Sequence, residues 1–390
     1  MSFARLVVAL LLVALAGACG DDTAAPPGDG GDSDADGSGN GVLYETCPTT
    51  CTTTPTCPAG QILTCCTCIE PPTANAGRTP CGQMSEYCDE APPDPISVAC
   101  LTPDGFPDPP PVDPPTVTVR GVVDVYGSGN TAAGGDITVE FYRVATDGSR
   151  GALITSNVAT LARCVDSLLP ASFESGDELD CCPGPCQELL PDTSACTPTS
   201  GDCRSLWLYE VTGIPTSTPL ILRTHGEAAF WKDLYYSNVF YFPEDQQPEG
   251  YVFYRAKILS LDDWRGIPTS AGVFGGIAPG MGAVAGEIHD CDNVKLWGAR
   301  VGVTPAPATD VVYFNGVEEK PYPDRMRGST NTDALYAALE IPPGPVRVSA
   351  LAQVDGVGLV NLGWWDANVF ADALTVVTIR GTRPTQVPIP

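Results

Sequence analysis

Two copies of one pattern constrain this chain more than anything else in it. Leu-Tyr, four residues and Ile-Pro occur as "LYEVTGIP" at 208–215 and again as "LYAALEIP" at 335–342. Upstream, "VRGVVD" from 119 and "VAGEIHD" from 284 each place Val-x-Gly ahead of an apolar residue and an acid, and downstream "NVF" recurs at 238–240 and 368–370. Three landmarks in one order mean two copies of a unit, at 117–262 and 283–380. The copies read as strands: "TVTVRGVVDVYG" and "DITVEFYRVA" alternate β-branched or aromatic residues with polar ones, and Gly-rich turns separate them. With 41 Gly and 39 Pro, the chain favours short strands and many turns over long helices, so the expected class is all-β.

The second copy carries Gly286, then Gly298, Ala299 and Val301, then Thr330, Asp333 and Tyr336, and finally Ile341 to Gly344. This run resembles the carboxypeptidase-regulatory-like domain, whose pattern is Gly-x-Val, Gly-Ala-x-Val, Thr-x-x-Asp-Gly-x-Tyr and Leu-Pro-Pro-Gly. Ala334 stands at that family's turn glycine, and in the first copy Thr216 and Ser217 replace the Pro-Gly. The resemblance implies two transthyretin/prealbumin-like β-sandwiches in tandem, a carbohydrate-binding-like fold whose members usually accompany other activities. Tyr209 and Tyr336 are expected to place their rings in a core while the hydroxyl finds a partner.

At the N-terminus, Arg5 precedes the apolar run Leu6 to Leu15, and Ala16, Gly17 and Ala18 lead into Cys19. Residues 1–18 read as a signal peptide, because the run falls short of the roughly 20 residues a spanning helix needs. "AGAC" resembles the bacterial lipobox, which implies acylation at Cys19 and a membrane held through the lipid. Cleavage by the small-x-small rule, giving a freely secreted chain, is the alternative. Residues 19–46, rich in Gly, Pro and Asp, read as a disordered acidic tether. "DSDADGSGN" within them mimics half a calcium loop, but the twelfth position is Leu43, so a solvated linker is the expectation.

Residues 47–100 hold Cys47, Cys51, Cys57, Cys65, Cys66, Cys68, Cys81, Cys88 and Cys100 with few large apolar side chains. Such a block needs disulfides to fold. Zinc could be drawn through its clustered thiols, but a secreted chain meets oxidants first and the block has no histidine. The Pro-rich stretch 101–116 is expected to be an extended linker. The first copy is interrupted at 164–203 by Cys164, Cys181, Cys182, Cys186, Cys196 and Cys203, and the second holds Cys291 alone. Without Cys19, 16 of the 17 cysteines remain, in groups of nine, six and one. Complete pairing therefore requires at least one bridge between groups.

The net charge of −27 is concentrated near the N-terminus, where residues 20–113 hold 15 acids and one base, Arg78. Such a surface repels phosphate backbones, which excludes nucleic acid as a partner. Only two histidines exist, His225 in "RTHGEAA" and His289 in "EIHDCDN", and neither a Gly-x-Ser-x-Gly elbow nor His-Glu-x-x-His accompanies them. The segment 230–254 holds ten of the 30 aromatics, and Trp364-Trp365 occupies a matching place in the second copy. Neighbours on a strand face opposite ways, so one ring of each pair Tyr235/Tyr236 and Trp364/Trp365 must be covered by something outside its own sandwich or form a binding face with Trp231. The expectation is a non-catalytic lipoprotein of the bacterial cell envelope, at the outer membrane or cell surface, without cofactor or metal, that binds or scaffolds a glycan, peptidoglycan or an envelope protein. The alternative is a secreted hydrolase or metal-dependent enzyme using His225 or His289.

Overall fold

The computed structural model describes residues 41–44, 47–48, 51, 55–80, 95–126, 136–162, 206–317 and 321–387. Cys19, most of the tether, Cys81, Cys88 and the six cysteines of the 164–203 segment lie outside the described residues. The N-terminal block contributes β1 (Ile62–Thr64), β2 (Thr67–Ile69) and β3 (Gly77–Arg78). The first copy contributes β4 (Thr116–Val125), β5 (Ile137–Val144), β6 (Arg150–Ala162), β7 (Leu206–Pro215), β8 (Leu220–Gly226), β9 (Trp231–Lys232), β10 (Leu234–Val239), β11 (Tyr251–Ser260) and the helix α1 (Leu261–Ser270). The second copy contributes β12 (Gly282–Glu287), β13 (Leu296–Trp297), β14 (Arg300–Thr304), β15 (Val312–Phe314), β16 (Pro323–Asp324), β17 (Leu335–Ile341), β18 (Gly344–Val354), β19 (Gly358–Val369) and β20 (Leu374–Val377).

The repeated sequence folds into a repeated three-strand unit. β4 pairs antiparallel with β7 and parallel with β11, and β12 pairs antiparallel with β17 and parallel with β20. The register sets Gly121 opposite Tyr209 and Gly286 opposite Tyr336. Each tyrosine ring is buried, and its hydroxyl crosses the central strand to donate to a carbonyl on the far neighbour, Tyr254 at 3.0 Å in the first copy and Val377 at 2.6 Å in the second. A Cβ at Gly121 or Gly286 would collide with that same carbonyl. The glycine of Val-x-Gly and the tyrosine of Leu-Tyr are therefore two halves of one contact.

Two apolar cores result. Val119, Val139, Phe141, Trp207, Ile214 and Leu222 belong to the first, and Val284, Tyr336, Val348, Leu362 and Trp365 to the second, which the separate sheet β14–β18–β19 closes. The copies are joined rather than merely adjacent. β10 pairs in parallel with β20, Leu234 beside Leu374 and Ser237 beside Val377, so a single 13-stranded sheet runs through both. Long β6 bends that sheet, pairing with β5 along residues 150–159 and with β7 along 160–162.

The N-terminal block is stapled by Cys47–Cys65, Cys51–Cys66 and Cys57–Cys68, so these thiols are half-cystines and not zinc ligands. It packs on the second copy. Ile69 is buried with Leu351 and occupies space that Gly302 leaves open, while Asn361 Nδ2 donates to Thr64 Oγ1 at 2.9 Å. A fourth bridge, Cys100–Cys291, spans 191 residues and is the inter-group link that the cysteine counts require. Beside it Arg78 donates to Asp290 at 2.6 Å within a buried ion pair, and Asp290 also accepts from the Ser97 amide. Leu101 docks in the second core, after which the Pro-rich stretch runs largely exposed to β4.

Gly286→Ala is expected to destabilise the protein by about 3 kcal/mol through the clash with the Val377 carbonyl. Tyr336→Phe, which only orphans a buried acceptor, is expected to cost about 1–3 kcal/mol. Urea denaturation with the disulfides intact measures both.

Candidate functional site

Four of the five aromatic residues that could form a binding face, Trp231, Tyr235, Tyr236 and Trp365, are buried in packing contacts. β10 is buried along its whole length. Tyr236 faces the first core, edge-on to Tyr254, with its hydroxyl 2.9 Å from the Lys257 carbonyl to which it donates. Tyr235 points the other way and stacks on Phe370 of the second copy at 3.8 Å between ring centroids. Trp365 lies in the second core and meets Phe240 of the first copy edge-on at 5.7 Å. Trp231 is buried edge-on against Trp207. Trp364 is half-buried on the outer face, with the Arg347 guanidinium 4.5 Å from its ring. Two of these contacts, Tyr235–Phe370 and Phe240–Trp365, run between the copies.

The histidines sit in separate polar clusters. His225 on β8 has Nε2 3.5 Å from Glu140, whose carboxylate also accepts from Arg223 at 2.9 Å and from the Tyr142 hydroxyl at 2.7 Å. Burial, then the Arg223 charge, pushes the His225 imidazole below its usual value. His289 is held between Glu287, 2.8 Å from Nε2, and Asn293, 2.9 Å from Nδ1. Glu287 also pairs with Lys295 at 3.1 Å. Burial alone would raise the Glu287 carboxyl, but Lys295 and His289 hold it well below the carboxylate range. β8 and β12 are separated by β10 and β20, which keeps the histidines at least about three strand spacings, roughly 14 Å, apart. Among the described residues, no three His, Cys, Asp or Glu side chains are grouped to hold a metal ion.

One large cavity, 1050 Å³, lies where the copies meet, lined by β10, β11 and α1 of the first copy and by β12, β17 and β20 of the second. The helix arises locally: Ser260 caps it by accepting from the Asp263 amide, and Asp262 and Asp263 favour its first turn. Its Trp264 and Ile267 face the sheet residues Ala283, Ala285, Leu335, Ala337, Leu374 and Val376 across the cavity. Tyr126, Lys257, Asp263, Glu287 and Asp333 supply polar groups to the lining. Burial pushes up the carboxyls of Asp263 and Asp333. None of these lining residues stands out in sequence as a site. The available signal was the alternation of small residues in "GAVAGE", which puts Ala283 and Ala285 on one face.

No family model matches the chain, and no curated protein matches its sequence. Among solved structures it is similar to the shaft pilin SpaA of Lactobacillus rhamnosus GG, at 8% identity over 71% of this chain and 100% of that one, with a TM-score of 0.17. The tip fimbrial protein Mfa3 of Porphyromonas gingivalis matches at 8% identity over 65% and 81% of the two chains, with a TM-score of 0.20. The major pilin RrgB of Streptococcus pneumoniae matches at 8% identity over 70% and 49%, with a TM-score of 0.17. Superpositions this loose carry no functional argument. Among the described residues, no helix is long and apolar enough to cross a membrane.

Stability should fall in two steps on acidification. The depressed His225 imidazole means that the unfolded chain binds its proton first, so stability drops as pH falls below about 6.5, and His225→Gln removes this step. The depressed Glu287 carboxyl gives a second drop below about 4.3, which Glu287→Gln reduces. Asp263 and Asp333, with raised values, work in the opposite direction. Urea midpoints between pH 7 and 3 test the assignment.

Proposed function

We propose that this protein is a lipid-anchored, non-catalytic display scaffold of the bacterial cell envelope, built from two transthyretin-like sandwiches of the carboxypeptidase-regulatory-like kind. The observation that supports this reading best is the fate of the aromatic residues. Of the rings that could serve an exposed glycan or peptide surface, Trp231 and Tyr236 are buried in the first core, and Tyr235 and Trp365 are buried in contacts that run between the copies and stiffen the junction. The "EIHDCDN" segment is likewise engaged in structure: Glu287 with Lys295, His289 with Asn293, Asp290 with Arg78 and Cys291 with Cys100. The anchor is Cys19, and the acidic residues behind it act as a self-repelling tether that holds the folded part away from the membrane surface. Several acyl chains, at about 0.8 kcal/mol per buried methylene, hold such a protein firmly. The partner presented is an envelope protein, glycan or peptidoglycan.

Intact mass of the protein extracted from membranes of its host should give a mature chain beginning at Cys19 and carrying acyl chains, and Cys19→Ser should move the protein out of the membrane fraction. An unacylated, soluble wild-type chain would overturn the anchor.

A further inference from the structure

The inter-copy cavity is a half-open cleft with apolar surface left unfilled on its walls. Thr375 and Val377 on β20, like Ala373 just before it, are buried, whereas Leu374 and Val376, which line the cavity, are only partly buried. Ala285 on β12 and Leu335 on β17 are partly buried as well. These residues lie on interior strands, third to fifth from one edge of the 13-stranded sheet, where side chains normally interdigitate to close-packed density. Of the small lining residues, Ala283 and Ala337 are buried and Ala285 is left partly exposed to the cavity. Water against such a surface is unfavourable in proportion to the apolar area. The volume of 1050 Å³ lies just above the range of about 300–1,000 Å³ typical of small-molecule pockets.

The polar lining narrows the chemistry of an occupant. Among the described residues the Tyr126 hydroxyl has no hydrogen-bond partner, although it lies in the field of Asp333, Glu287 and Asp263. Burial and these three acids push its phenol well up, so it remains a donor. The carboxylates near it are already engaged: Asp263 accepts from the Ser260 hydroxyl, Asp333 from the amides of Gly316 and Leu335, and Glu287 from Lys295. Acids (Asp263, Glu287, Asp333) and bases (Arg255, Lys257, Lys295) both line the cavity, so a charged head of either sign has like charges among the lining in addition to its desolvation cost. A neutral acceptor avoids that repulsion and costs far less to desolvate.

We infer that this cavity is a binding site for an uncharged amphiphile, with an apolar body against Ala285, Leu374 and Val376 and a polar end that accepts a hydrogen bond from Tyr126. The site is formed by both copies and is absent from either alone. It is independent of the anchor, so the Cys19→Ser chain binds as the native one does.

The neutral fluorophore N-phenyl-1-naphthylamine, titrated into the full-length, disulfide-intact protein, tests the site. It should bind saturably at one site per chain. Decanamide should displace it at concentrations about tenfold below those needed for decanoate or decylamine. Ala285→Leu, which fills the cavity floor, should weaken fluorophore binding at least tenfold with an unchanged circular dichroism spectrum. Tyr126→Phe, which removes no existing hydrogen bond among the described residues, should leave fluorophore binding intact and cut the decanamide advantage about three- to tenfold. Absence of saturable binding, or wild-type behaviour of both variants, would overturn the site. Equal displacement by the three ten-carbon compounds would overturn the neutral head and the role of Tyr126. If Ala285→Leu fails to fold, the Tyr126→Phe comparison decides.

Discussion

The parallel pairing of β10 with β20 is the constraint on which the rest depends. Strands from separate sequence repeats can lie side by side only if each leaves an edge free, and β10 and β20 are edges of their own copies until they meet. Once they pair, each buries the other's backbone groups, which neither strand could leave dry and unpaired without cost. The pairing also dictates side-chain fate. With Tyr235 beside Thr375 and Tyr236 beside Val376, one ring enters the first core and the other is covered by Phe370. The cavity opens at the same junction, lined by β11 and α1 of the first copy and by β12, β17 and β20 of the second.

Much of this was legible in the sequence, and the reason is local. Val-x-Gly and Leu-Tyr recur because a hydroxyl must cross a central strand that carries no Cβ, and that requirement leaves fixed residue types at fixed spacing in both copies. The cysteine counts required a bridge between groups for the same kind of reason, since parity is a property of the sequence. Its partner, Cys100 to Cys291, is not, because connectivity follows from where the chain brings two thiols together.

What was not legible is long-range or silent. No local pattern says that β10 will seek β20, and alternating apolar residues suit any sheet neighbour. The N-terminal block docks on the second copy although the first follows it in sequence, which the largely exposed Pro-rich stretch permits by carrying the chain across. The helix α1 was hidden in an all-β reading, although "SLDDW" holds its cap and first-turn acids. The cavity escaped for a plainer reason: its lining comes from both copies, and no local pattern says which residues will meet across the junction. His225 and His289, which do leave a mark, turn out to occupy polar clusters in different copies.

Hydrogen–deuterium exchange tests the joining of the copies most directly. If the shared sheet is the backbone of the molecule, amides of Leu234–Val239 and Leu374–Val377 should exchange as slowly as those of the central strands β4 and β12, because all would open only with the whole. Rapid exchange confined to β10 and β20, with β4 and β12 still protected, would mean that the two copies hinge independently and would contradict the account.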